Sequence, residues 1–159
     1  MAELQLSEAR LAGLVFLYSL NFGPMVFESF TSDWTWASKP PDSFHMFLGL
    51  YGHKTAHYWR VVSPLALSSF VLSIVFNWHV VDRRFWLCTP LALYIAVQAS
   101  TMAYFVPEQE RLITGRGSLC GALLKSRADR WISLNYLRIG AGVLAFVCLL
   151  RPLIASATS

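Results

Sequence analysis

Residues 61–81 read VVSPLALSSFVLSIVFNWHVV, with no Asp, Glu, Lys or Arg between Val61 and Val81. A helix rising 1.5 Å per residue needs about 20 such residues to cross the hydrocarbon of a bilayer. Working outward, Leu11–Phe27, Trp86–Val106 and Ile132–Ile154 have similar length and character, the last holding Arg138 and Arg151. The pattern predicts an all-α, four-transmembrane-helix bundle of one domain, with long helical extensions in the connections between spans one and two and between spans three and four. Four spans in 159 residues leave no room for a soluble catalytic domain. Any site must be built from the helices and those two connections.

The composition agrees. The chain is 55% hydrophobic and 14% charged, and its mean hydropathy is +0.48, more apolar surface than a small soluble core could bury. Met1–Arg10 carries Glu3 and Glu8 instead of a cationic leader, and no small-residue cleavage site follows Phe27, so the first apolar stretch is expected to persist as a helix. Cys88, Cys120 and Cys148 are odd in number and lack a C-x-x-C pair, which argues against a disulfide framework or thiol redox chemistry. P-loop, Rossmann and nucleophile-elbow patterns are absent, and dispersed basic residues exclude a nucleic-acid stripe. Basic loops suit membrane lipids better.

An even number of spans puts the N-terminus, the Arg83-Arg84 turn and the C-terminus on one side, with Arg10, Arg83, Arg84 and Arg151. Lys39, Lys54, Arg60, Arg111, Arg116, Lys125, Arg127 and Arg130 fall on the other, so the positive-inside rule predicts cytoplasmic long loops. Thr31-Ser32-Asp33 and Lys39-Pro40-Pro41-Asp42 read as loop, Phe44–Arg60 as a helical extension of span two, and Leu119–Arg138 as a helix running into span four. All six tryptophans lie near span ends, where an aromatic belt is the simplest reading.

Several residues could carry chemistry. His53 and His57, four apart, project from one helical face, with Arg60 three further on, a spacing suited to metal ligation or a proton relay. Glu28 ends span one, with Asn21 on the same face and Gly23-Pro24 between them. It either snorkels to the headgroups or faces a partner. Glu108, after Pro107, can pair with Arg111. Trp131, Asn135 and Arg138 share a face of span four. An arginine at that depth needs a partner, and Glu108 first and Glu28 second are the expected ones.

Thr101, Val106, Pro107, Leu112, Trp131, Asn135 and Arg138 resemble the motif of the anthrone oxygenase-like family of small four-helix membrane proteins. Phe105 and Gln109 stand where that family has asparagines, and Glu108 adds a charge. The resemblance implies a membrane oxidoreductase that inserts oxygen at an activated carbon of a lipophilic, aromatic or phenolic substrate. In the resulting pocket, His57 or Glu108 would remove the acidic proton, with Arg60 or Arg138 stabilising the oxyanion and Asn135 beside them. His53, His57 and Glu28 would hold non-haem iron or copper if a metal takes part, and cofactor-free catalysis is the other form. Two further readings are a non-catalytic accessory subunit of a larger membrane complex or homo-oligomer, joined through the small residues Gly140, Ala141, Gly142 and Ala145, and a glutathione-dependent membrane transferase. The last lacks the expected arginine and asparagine pattern within 61–81.

Overall fold

The structure, a computed structural model, describes residues 2–48, 55–117 and 120–157, and contains helices but no strand among them. Helix α1 spans Ala2–Phe30, α2 Ser32–Ser38, α3 Ala56–Phe76, α4 Val81–Ser100, α5 Val106–Thr114 and α6 Gly121–Ala157. A π-helical turn over Thr101–Phe105 joins α4 to α5. Four stretches, Glu8–Ser38, Ala56–Phe76, Arg83–Thr114 and Gly121–Pro152, are long and apolar enough to cross a membrane. Helix α1 packs along α3 and α6, and α4 packs along α6 and α3, which closes an antiparallel four-helix bundle.

The outer surface is that of a protein bathed in hydrocarbon. Only 17–28% of the four apolar windows is buried inside the bundle, and Phe16, Phe27, Leu72, Val75, Leu137 and Val147 are all more than half exposed. Water would penalise so continuous an apolar exterior, whereas lipid does not.

Prolines interrupt the helices at Pro24, Pro64, Pro90 and Pro152. Each lacks an N–H, so the carbonyl four residues earlier loses its helical donor. At Pro24 that carbonyl is Leu20 O, and the Tyr58 hydroxyl from α3 donates to it. The carbonyl opened by Gly23-Pro24 therefore helps dock α3 on α1.

Two expectations for the first connection are corrected. Ser32 and Asp33 are helical rather than loop, with Thr31 the one turn residue between α1 and α2: Thr31 Oγ1 donates to Phe27 O at 2.7 Å, Thr35 Oγ1 to Thr31 O at 2.8 Å, and α2 follows α1 almost directly. Phe44–Arg60 is not one helix. Asp42–Phe47 forms a 3-10 helix, α3 begins at Ala56, and residues 49–54, including His53, lie outside the described residues.

Two apolar cores stack along the bundle. One gathers Leu11, Leu14, Tyr18, Phe70, Leu87, Tyr94 and Leu149 from the four long helices. The other gathers Trp36, Phe44, Phe105, Leu112, Leu124 and Trp131 from α2, the 3-10 helix, the π turn, α5 and α6. Trp36 and Trp131 are 0% and 4% exposed, so they belong to this second core and not to an aromatic belt. Trp34, 55% exposed and donating to the Tyr136 hydroxyl, keeps a surface position.

Helices α1 and α6 approach closely at Gly142, where an added Cβ would lie 2.5 Å from the Phe22 ring. That ring is stacked on Tyr18 and Phe146, and the Tyr18 hydroxyl donates to Gly142 O at 2.9 Å. Gly142 and the fully buried Ala145 thus serve this chain's own packing. Gly142→Ala should lower stability by about 1–3 kcal/mol, read as unfolding in detergent, whereas Gly140→Ala, with open space around it, should be nearly neutral. Equal stability of the two variants would contradict the close approach.

Candidate functional site

Between the two cores lies a layer of polar side chains drawn from α1, α2, α3, the π turn and α6. Its centre is Arg138 on α6. One guanidinium nitrogen, Nη1, donates to Thr101 Oγ1 at 3.0 Å, and the guanidinium carbon lies 4.3 Å from the centre of the Phe105 ring and 5.9 Å from that of Trp131. Cation–π contact and a hydroxyl acceptor offset part of the cost of drawing a guanidinium out of water. The carboxylates of Asp33 and Glu28 lie within electrostatic range of it.

The π turn explains why Thr101 is available. Pro107 cannot donate an N–H, and in a regular helix its ring would press on the carbonyl four residues back. The chain widens there instead, with Val106 N bonding to Thr101 O five residues earlier. Thr101 Oγ1 donates to Val97 O at 2.7 Å and so presents its lone pairs to Arg138. Such π insertions recur at functional sites.

Asn135, one turn before Arg138 and 2% exposed, ties α6 to α1 and α2. Its Nδ2 donates to Ser29 Oγ at 2.7 Å and to Asp33 Oδ2 at 3.0 Å, while Trp36 Nε1 donates to Asp33 Oδ1 at 3.1 Å. Both oxygens of the buried Asp33 are therefore held. Glu28 accepts a hydrogen bond from the Trp59 side chain in the first turn of α3. Two buried atoms remain without a hydrogen-bond partner among the described residues, the acceptor Asn135 Oδ1 and the donor Arg138 Nε. Natural interiors satisfy nearly all such groups, so this pair marks a place able to receive a polar ligand group or a water.

The structure brings together Glu28, Asn135 and Arg138 of the residues expected from sequence, and it separates Glu108. Arg127 grips Glu108 with two parallel hydrogen bonds, Nε to Oε1 at 2.8 Å and Nη2 to Oε2 at 2.7 Å, in the second core. The expected Arg138–Glu108 pair is replaced because Glu108 follows the π turn and Arg127 is nearly three turns before Arg138 on α6. His57 and Arg60 are exposed at the start of α3, with no hydrogen bond or ion pair among the described residues, while Tyr58 and Trp59 between them turn to α1. The proposed metal set of His53, His57 and Glu28 includes a residue outside the described ones, and among the described residues no three His, Cys, Asp or Glu side chains are grouped to hold a metal.

Asp33, Ser29 and Trp59 are the site residues that the sequence reading missed. Asp33 resembled loop punctuation beside Thr31 and Ser32. Its spacing of five from Glu28, within an unbroken proline-free run to Ser38, was the available signal that both carboxylates lie on one helical stretch.

A second polar group lies deeper among the spans: Asn21 Nδ2 donates to Ser63 Oγ at 3.1 Å, Tyr94 OH donates to Ser63 O at 2.9 Å, and Gln98 Nε2 donates to Tyr94 OH at 2.8 Å. It joins α1, α3 and α4 through neutral groups alone.

Comparisons with protein families, curated proteins and solved structures yield no match for this chain.

The Arg127–Glu108 fork is a structural element of the second core. Arg127→Ala should strand the buried carboxylate and cost about 1–3 kcal/mol, measured by unfolding, while Arg127→Ala combined with Glu108→Leu should recover part of the loss. No recovery, or no effect of Arg127→Ala, would refute the pairing.

Proposed function

We propose that this chain is a membrane-embedded oxidoreductase that binds the polar end of a lipophilic, phenolic or enolisable aromatic molecule beside Arg138 and oxidises it with dioxygen. The observation that carries the reading is that two buried atoms, Arg138 Nε and Asn135 Oδ1, have no hydrogen-bond partner among the described residues, with the Arg138 guanidinium against the Phe105 and Trp131 rings. A hydroxyl group has the chemistry either atom lacks, a donor for Asn135 Oδ1 and an acceptor for Arg138 Nε. The aromatic body of the ligand would reach this level from the bilayer.

In this reading Glu28 is the base. It shares the neighbourhood of Arg138 and Asp33, and Trp59 orients it. Removal of a proton from the substrate leaves an enolate or phenolate, whose charge Arg138 stabilises in an environment poor in water. The delocalised anion passes electrons to dioxygen, and the balanced reaction converts a CH2 group and O2 to a C=O group and water. Glu108 has no part in this chemistry, and His57 and Arg60 stand at the outer edge of the site. A metal-assisted form would instead use Glu28, with His53 and His57, as ligands to iron or copper that would activate the dioxygen. By the positive-inside count, the site end would face the cytoplasm.

The test is oxygen uptake and quinone formation with an anthrone in detergent, alongside elemental analysis of the purified protein. Arg138→Met should lower kcat about 10²–10³-fold, the usual effect of losing an oxyanion donor, and Glu28→Gln should also be impaired. The exposed Arg130→Gln on the same helix should behave as wild type. Turnover that survives Arg138→Met in a folded protein would refute the assignment.

A further inference from the structure

The end of the bundle opposite the candidate site carries cations of a different kind. Arg10 of α1 lies with its guanidinium carbon 3.7 Å from the centre of the Phe76 ring. Arg84 at the start of α4 lies 4.8 Å from Trp78, and Arg151 near the end of α6 lies 4.9 Å from Trp86. Three arginines from three helices thus converge on aromatic rings of one short segment, residues 76–86, where α3 turns into α4. Arg83 adds a fourth cation there, donating to Asn77 Oδ1 at 3.2 Å.

None of the guanidinium groups of Arg10, Arg84 and Arg151 makes a hydrogen bond or ion pair among the described residues. At the site end Arg127 is matched by Glu108 and Lys125 by Asp129, and the exposed Arg60 has no aromatic ring against its guanidinium among the described residues. Stacking on an aromatic face fixes a guanidinium and shields one side of its plane, but leaves the N–H groups along its edge free to donate. Those donors match phosphate oxygens. The three arginines bracket the ends of apolar spans and lie beside Trp78 and Trp86, a place where headgroups are the nearest source of phosphate.

We propose that Arg10, Arg84 and Arg151 form a docking site for anionic phospholipid headgroups, with the lipid phosphodiester bound at the guanidinium edges and the acyl chains lying along α3 and α4. The occupant is a lipid and not free phosphate because the half-exposed Phe76, Trp78 and Val75 continue the patch onto the apolar exterior. Anionic lipids are preferred over zwitterionic ones because none of the three guanidinium groups forms an ion pair with a carboxylate among the described residues.

The experiment uses the full chain purified in a neutral detergent and titrated separately with phosphatidylglycerol, phosphatidylcholine and inorganic phosphate. Native mass spectrometry reads retained lipid, and thermal unfolding reads stabilisation. Phosphatidylglycerol should bind and raise the unfolding midpoint, with weaker binding at high salt; phosphatidylcholine and inorganic phosphate should do much less. Removing all three charges in R10Q/R84Q/R151Q should weaken phosphatidylglycerol binding at least tenfold, on the basis of roughly fivefold per arginine near an anionic surface. K125Q/R130Q, at the other end, should bind as wild type. Should the triple variant fail to fold, the single variants R10Q, R84Q and R151Q are each expected to weaken binding several-fold. Equal binding of the two lipids, full stabilisation by inorganic phosphate, or unchanged binding by the arginine variants would overturn the proposal.

Discussion

A guanidinium inside an apolar bundle has to be answered from all sides, and the middle of this molecule is arranged around that requirement at Arg138. Left unpartnered near the centre of a span, an arginine costs at least about 2.5 kcal/mol. Here the π turn supplies both the Thr101 hydroxyl and the Phe105 ring, α6 itself supplies Trp131, and α1 and α2 bring Glu28 and Asp33 within electrostatic range. Each contribution constrains the element that makes it. The π turn before Pro107 sets where Thr101 faces, and the short helix after Thr31 delivers Asp33 to Asn135.

The polar layer divides the bundle into two apolar cores with separate tasks. The core of Leu14, Tyr18, Phe70 and Tyr94 holds the long helices together. The core of Trp36, Phe44, Leu112 and Trp131 covers the polar layer at its other end. Trp36 links the two functions, since its ring packs edge-on against Trp131 at 5.1 Å while its N–H restrains Asp33. The buried Asp33 carboxylate and Asn135 amide, and the half-buried Glu28 and Arg138, would be costly in an uncovered bundle end, and this aromatic roof covers them.

The four spans were legible from hydropathy because lipid demands a long uncharged run whatever the helices pack against. The inward position of Asn135 and Arg138 was also legible, since a four-plus-three offset from Trp131 fixes a shared face. The partners were not. Hydropathy and spacing put Glu108 ahead of Glu28 as the partner of Arg138, and only the π turn, which rotates residues after Phe105, decides that Glu108 meets Arg127 instead. Asp33 was missed because Thr-Ser-Asp signals a turn in water, whereas here Thr31 and Thr35 bond back to carbonyls and keep the chain helical. The same limit applied to Tyr58, whose partner is a carbonyl freed by a proline on another helix.

A double-mutant cycle tests the central claim most directly. Unfolding free energies of Arg138→Met, Asp33→Asn, Glu108→Gln and the two combinations with Arg138→Met separate the neighbours of Arg138 from the rest. Coupling between Arg138 and Asp33 of about 0.5–3 kcal/mol, the range for residues in one network, is predicted, with coupling to Glu108 near zero. Coupling to Glu108 with none to Asp33 would contradict the account.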